Sequence, residues 1–143
     1  QISLAQQTAL TRNTRSRWQI IEVPDLRTGE EKAWRLMRVQ VFDPTNRAWQ
    51  TVDRKLLPVS VNVDPSTNAS TLLANPQPVD DLTYGGEQGV SALASSIVFR
   101  PDGRTSLNPN SICSLTLRNP RKANDFITVQ IDPISGRTRT FRQ

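Results

Sequence analysis

From Trp18 onward the apolar residues of this chain recur at every second position, in short runs broken by Pro, Gly, Asn and Asp. A period of two sends successive side chains to opposite faces of an extended backbone. Apolar-in, polar-out alternation is therefore the pattern of an antiparallel sheet with one buried face. Residues 18–23 predict a strand closed by Pro24-Asp25, and residues 24–33 a polar turn region around Gly29. A second strand is expected over 34–42, with Leu36 on one face and Met37, Val39 and Val41 on the other. Asp43-Pro44-Thr45-Asn46 has turn chemistry, because Asp and Asn bond their own backbone and Pro presets φ. Residues 48–52 return as a short strand and residues 56–63 alternate after Pro58, which together suggest a meander.

The last third is the most regular. Residues 96–100 read as a strand, and Pro101-Asp102-Gly103-Arg104 as a tight turn with Gly103 where φ > 0 is needed. Cys113, Leu115 and Leu117 alternate with polar residues, as do Ile127, Val129 and Ile131; Pro133-Ile134-Ser135-Gly136 then leads into a strand over 137–141. Between these blocks the signal collapses. Residues 64–90 hold three prolines and three glycines among Ser, Thr, Asn and Asp, and a long loop is expected there. Only residues 1–15 read as helix: Gln, Ala, Leu and Arg dominate, and Ile2, Ala5 and Ala9 share a face. The expected architecture is α+β, an N-terminal helix over 1–17 packed on antiparallel sheets over 18–143, with the loop at about 64–90.

Residue chemistry narrows the function classes. The chain has 143 residues, no histidine and one cysteine, Cys113. That removes His-based nucleophile pairs, His-ligated metals, intrachain disulfides and Cys redox pairs. A carboxylate- or Lys-based enzyme remains, beside a protein that works by binding and assembly; the second is favoured. The adjacent acids Glu30-Glu31 and Asp80-Asp81 would point to opposite faces of a strand, so only distant carboxylates such as Asp53 and Asp80 could pair across a bond. Gly85-Gly86-Glu87-Gln88-Gly89 lacks the Lys-Ser/Thr tail of a phosphate loop. The acids of residues 75–87 read as solvated turn groups, not as a calcium site. Cys113 reads as a small buried hydrophobe, and Trp18, Trp34 and Trp49 as packing residues. No catalytic residue, cofactor or metal is expected. No run of about 18 apolar residues is present.

The formal net charge is +5, with 15 Arg against 3 Lys. Arg12, Arg15 and Arg17 cluster where the helix should end, complementing its dipole. A second group occupies the C-terminal tail. On a strand Arg137 and Arg139 would share a face with Arg142 near them, a set able to clamp phosphates or to guard a sheet edge.

The order of parts resembles the GspH/FimT-like minor pseudopilins of type II secretion systems and type IV pili. The resemblance rests on Phe99-Arg100-Pro101-Asp102-Gly103-Arg104, close to the family phrase Phe-x-Pro-x-Gly-Arg, and on Gly136-Arg137 in the closing hairpin. Residues 38–44, Ala48-Trp49 and Leu57-Pro58 also look like the family's meander. It implies a pilin-like, β-sandwich-like domain on the C-terminal half of a long helix. The apolar half of that helix, cleaved and N-methylated by a prepilin peptidase, would precede Gln1. The implied role is a non-catalytic structural subunit at or near the tip of a pseudopilus or pilus. Its partners would be other minor subunits, with secreted cargo as a further implied class. The implied location is the bacterial inner membrane through the missing helix, with a periplasmic domain that becomes extracellular on assembly. The same family includes DNA-uptake pilins that bind DNA through a basic C-terminal region, and Gly136-Arg137-Thr138-Arg139 resembles their Gly-Arg-x-Arg phrase. Nucleic acid is thus the second partner class. A free-standing β-sandwich recognition module is the third reading.

Overall fold

The computed structural model describes residues 2–24 and 32–142. The turn expected over 24–33 around Gly29 falls almost wholly outside the described residues. Among them the chain forms α1 (Ile2–Arg12), β1 (Ser16–Val23), β2 (Ala33–Asp43), β3 (Ala48–Leu56), β4 (Asn62–Val63) and a 3-10 turn (Thr71–Leu73). There follow β5 (Gln77–Tyr84), β6 (Glu87–Phe99), β7 (Cys113–Asn119), β8 (Lys122–Ile131) and β9 (Thr138–Arg142). One sheet has the order β3-β2-β1-β6-β5 and curls into a half-barrel; the other has the order β4-β7-β8-β9. All described pairings are antiparallel.

The α+β expectation is corrected: the chain is mostly β, with 55% of residues in strands and 11% helical. The helix stops early because Asn13 takes the left-handed φ of 51°. The Thr14 amide then bonds back to the Ala9 carbonyl at 3.3 Å, the Schellman pattern that satisfies a terminal carbonyl. Ser16 already belongs to β1. What remains of α1 is held by two small side chains, Ala5 and Ala9, both fully buried. Their size lets the helix backbone approach the sheet, and the Ser16 hydroxyl donates to the Ala5 carbonyl.

Two cores result. The larger lies between the sheets and under α1, and joins Trp18, Ile20, Ile97 and Phe99 to Leu115 and Ile131. The smaller lies inside the half-barrel and contains Ile21, Val23, Leu36, Leu82 and Ala94. A bulge divides β2 between them: Ile21 faces Leu36 but Glu22 faces Trp34, so Arg35 is the extra residue. Trp34 thereby joins the first core and Leu36 the second. The Arg35 side chain is itself buried and donates to the carbonyls of Pro58 at 3.1 Å and Val61 at 2.8 Å, and to Asn62 Oδ1. That anchor replaces most of the strand expected over 56–63, of which only Asn62–Val63 pairs with β7.

The loop expected at about 64–90 is also corrected, since β5 and the start of β6 lie within it. β5 is an edge strand with one fully buried side chain, Leu82, so it shows no apolar alternation. Pro78 is tolerated there because an edge strand has unpaired backbone to spare. Tyr84 pairs with Glu87 across Gly85 and Gly86, at φ 62° and 80°. Two consecutive positive φ values define the type I′ turn that matches strand twist, and glycine adopts them without strain. In the expected turn after β6, Gly103 sits at φ 87° and its amide bonds to the Arg100 carbonyl at 3.0 Å.

Candidate functional site

The β8–β9 connection builds the surface that carries the tail arginines. Asp132 Oδ1 accepts the Ile134 amide at 2.9 Å and the Ser135 amide at 3.4 Å, and these bonds hold its carboxyl below the usual range. The Gly136 amide returns to the Asp132 carbonyl at 2.8 Å, and the Asp132 amide donates to the Arg137 carbonyl at 2.8 Å. Gly136 is buried at φ 72°, and a Cβ there would lie 2.7 Å from Phe99 Cε1 and 3.2 Å from Thr105 Cγ2. The Thr105 hydroxyl donates to the Pro133 carbonyl, and Gln6 Nε2 on α1 donates to the Ser135 carbonyl at 2.6 Å. The turn is therefore fastened to both the core and the helix, and it emerges at Arg137.

Arg139 stands opposite Gln130 on β8. With Arg137 it lines a cleft of about 660 Å³ whose other walls include Ile112, Asp132 and Pro133. Neither guanidinium forms an ion pair among the described residues. Arg142 is placed elsewhere. It pairs with Ile127, so strand alternation sends it to the face opposite Arg139, and it lies 3.8 Å from Asp125 beside a separate groove with Phe126. The structure brings Arg137 and Arg139 together and separates Arg142; three steps along a strand reverse the face.

The other arginine cluster is corrected as well. Only Arg12 lies in the last turn of α1. The Arg15 guanidinium stacks 4.3 Å over the Phe42 ring and that of Arg17 4.3 Å over Trp49, while the two rings meet edge to face at 5.4 Å. These are cation–π contacts, not helix-dipole partners. Arg17 also donates to Gln40 Oε1 at 2.7 Å, and burial, followed by the like charge of Arg38, brings its pKa down to about 10. Arg38 donates to Gln19 Oε1 at 2.7 Å and Gln19 to Ser96 Oγ at 2.9 Å. This polar stripe on paired strands was readable as Arg17 and Gln19 in β1 beside Arg38 and Gln40 in β2, but only once the register was known.

Trp18 and Trp34 are buried in the core, and Trp49 is half-buried. Cys113 is buried, and desolvation pushes its thiol up. Among the described residues no three Cys, Asp or Glu side chains converge on a metal-sized position, and no helix is long and apolar enough to cross a membrane.

A second opening lies between the sheets beside β9. This groove of about 410 Å³ is lined by Trp18, Met37, Leu117 and Val129, with Thr138 and Thr140 at its β9 rim and Ile2 at the start of α1. The chain matches no protein-family model, no curated protein and no solved structure.

Proposed function

We propose that this chain is the domain of a minor fibre subunit of the GspH/FimT kind, non-catalytic and assembling with other minor subunits at or near a pseudopilus or pilus tip. In this reading an apolar continuation of α1 anchors it in the inner membrane and the β domain lies in the periplasm before assembly. The observation that carries the reading is the two-faced helix. Ala5 and Ala9 seat α1 on the sheets, while Leu4 and Leu10 face outward at 39% and 53% exposure. Six residues apart, the two leucines stand about 120° from each other around the helix, on either side of its outward direction, where flanking helices of a fibre would cover them. The sequence phrases at Phe99–Arg104 and Gly136-Arg137 are what carry the resemblance.

The test is reconstitution. The chain is mixed with each other minor-subunit domain encoded in the same genome, and masses are read by light scattering after gel filtration. A heteromeric complex is expected, weakened about tenfold by Leu4→Glu with Leu10→Glu. A chain that stays monomeric with every candidate contradicts the proposal.

The shared Arg137–Arg139 cleft favours a second reading, a DNA-binding minor pilin. It predicts duplex binding that falls steeply with salt and disappears in Arg137→Ala plus Arg139→Ala. Salt-independent or absent binding removes it.

A further inference from the structure

The described sheet edges differ sharply in how they are closed. β3 carries Asp53, Arg54 and Lys55 and a register shift against β2, and Arg54 Nη1 donates to the Thr83 carbonyl across the half-barrel. β5 carries Pro78, the acids Asp80 and Asp81 and two register shifts. β4 is two residues long. These are the usual devices against edge-to-edge pairing. β9 has none of them apart from its arginines: it is five residues long, pairs with β8 without a register shift, contains no proline, and is exposed along its whole length.

We propose that β9 is an augmentation edge, to which a partner subunit adds an extended segment that alternates apolar and acidic residues. The partner's identity rests on the fibre reading above; the edge itself rests on register and exposure. Strand addition satisfies the outward backbone groups of β9, and pleating sends the guest's side chains alternately to two faces. On the inner face they meet the inter-sheet groove at Thr138 and Thr140, next to Leu117 and Val129. Trp18 lines this groove, and its buried indole N–H has no acceptor among the described residues. Apolar guest residues fit there. On the outer face they meet Arg139 and, beyond the strand, Arg137, which share a cleft with the Asp132 carboxylate, form no ion pair among the described residues, and leave the cleft with a net positive charge. Carboxylates fit there.

Charge also selects against a second copy. Residues 137–142 contain three arginines and no acid, so pairing β9 with itself gathers the arginines of two copies on one short ribbon. Opposite charges across a strand pair stabilise and like charges destabilise, so the same side chains reject self-association and admit an acidic guest.

The test uses the full chain and a synthetic peptide of about eight residues alternating Val and Glu, with a Val/Lys peptide as control. Amide exchange read by mass spectrometry and binding read by fluorescence anisotropy are followed together. The expected result is slowed exchange across residues 138–142 with the Val/Glu peptide and about tenfold weaker binding of the Val/Lys peptide. Arg137→Glu with Arg139→Glu should reverse that preference. Unchanged exchange in β9, equal affinity for the two peptides, protection of β9 by a DNA duplex but not by the Val/Glu peptide, or protection that rises with protein concentration alone would each overturn the proposal. A heteromeric complex that leaves β9 exchanging freely overturns it while leaving the fibre reading intact. Peptide addition to β9 without any heteromeric complex supports it and removes the fibre reading.

Discussion

The Arg38 guanidinium reaches the Asp81 carboxylate at 3.1 Å, joining β2 to β5 although β1 and β6 lie between them in the sheet. Only a strongly curled sheet brings those strands within reach, and Arg54 meets Thr83 on the same side. The curl encloses the second core, with Leu82 of β5 lying against Ile21 and Leu36. Arg38 is 4% exposed and Asp81 52%, so the cation is the partner that suffers when the pair is broken. Asp81→Ala should cost about 1–2 kcal/mol, a value reduced for the carboxylate's exposure. Urea unfolding checks it. A cost indistinguishable from zero would mean that the apolar contacts close the half-barrel unaided.

Acid should loosen the same clamp. Burial pushes the Asp81 carboxyl up, but the hydrogen bond and charge of Arg38 outweigh it, and the net shift is downward. Asp64 is also lowered, first by the Ser66 amide and then, against desolvation, by Arg118 at 2.6 Å. A carboxyl with a depressed folded pKa binds its proton more readily in the unfolded chain. Its stabilisation is therefore complete above the unfolded value of about 3.9 and is lost as pH falls through the folded one. Melting temperature should stay level down to about pH 5 and drop below about pH 4. Asp64→Asn with Asp81→Asn should flatten that acid limb; an unchanged limb would assign it to other carboxyls.

Gly136 separates packing from charge in the tail. Gly136→Ala meets both a left-handed φ of 72° and Phe99 Cε1 at 2.7 Å, whereas Gly103→Ala meets only a φ of 87° in open space. The first should cost about 2–4 kcal/mol and the second about 1 kcal/mol. Equal costs by thermal denaturation would show that the turn does not press on the core. The glycine of the Gly-Arg-x-Arg phrase thus has a structural reason to be there, and only its arginines are free for a partner.

The arginine–aromatic stack gives another contrast. Trp49→Ala removes the edge contact with Phe42 and the ring under Arg17, and should cost about 1–2 kcal/mol. Arg12→Ala, at the exposed end of α1, should change stability by less than about 0.5 kcal/mol. Chemical denaturation of both variants checks the ranking, and a larger loss at Arg12 would reinstate the dipole role.

Strands that bury one face announced themselves. Val39, Leu115 and Ile131 alternate with polar neighbours because their face meets the larger core. β5 did not, since an edge strand with only Leu82 buried leaves its other side chains free to be polar; Gly85-Gly86 was its one local signal. The bulge at Arg35 and the polar stripe from Arg17 to Gln40 depend on register, which no single segment encodes. At the candidate site Arg137 and Arg139, two residues apart, line one cleft, whereas Arg142, an odd number of steps from Arg139, takes the opposite face, so nearness in the chain does not substitute for strand parity.

The most direct test of the fibre proposal is the N-terminal sequence and intact mass of the protein recovered from its native membranes. The proposal predicts an N-methylated segment of about 20 apolar residues continuous with α1 and ahead of Ile2. A mature chain that enters α1 without such a segment would contradict it.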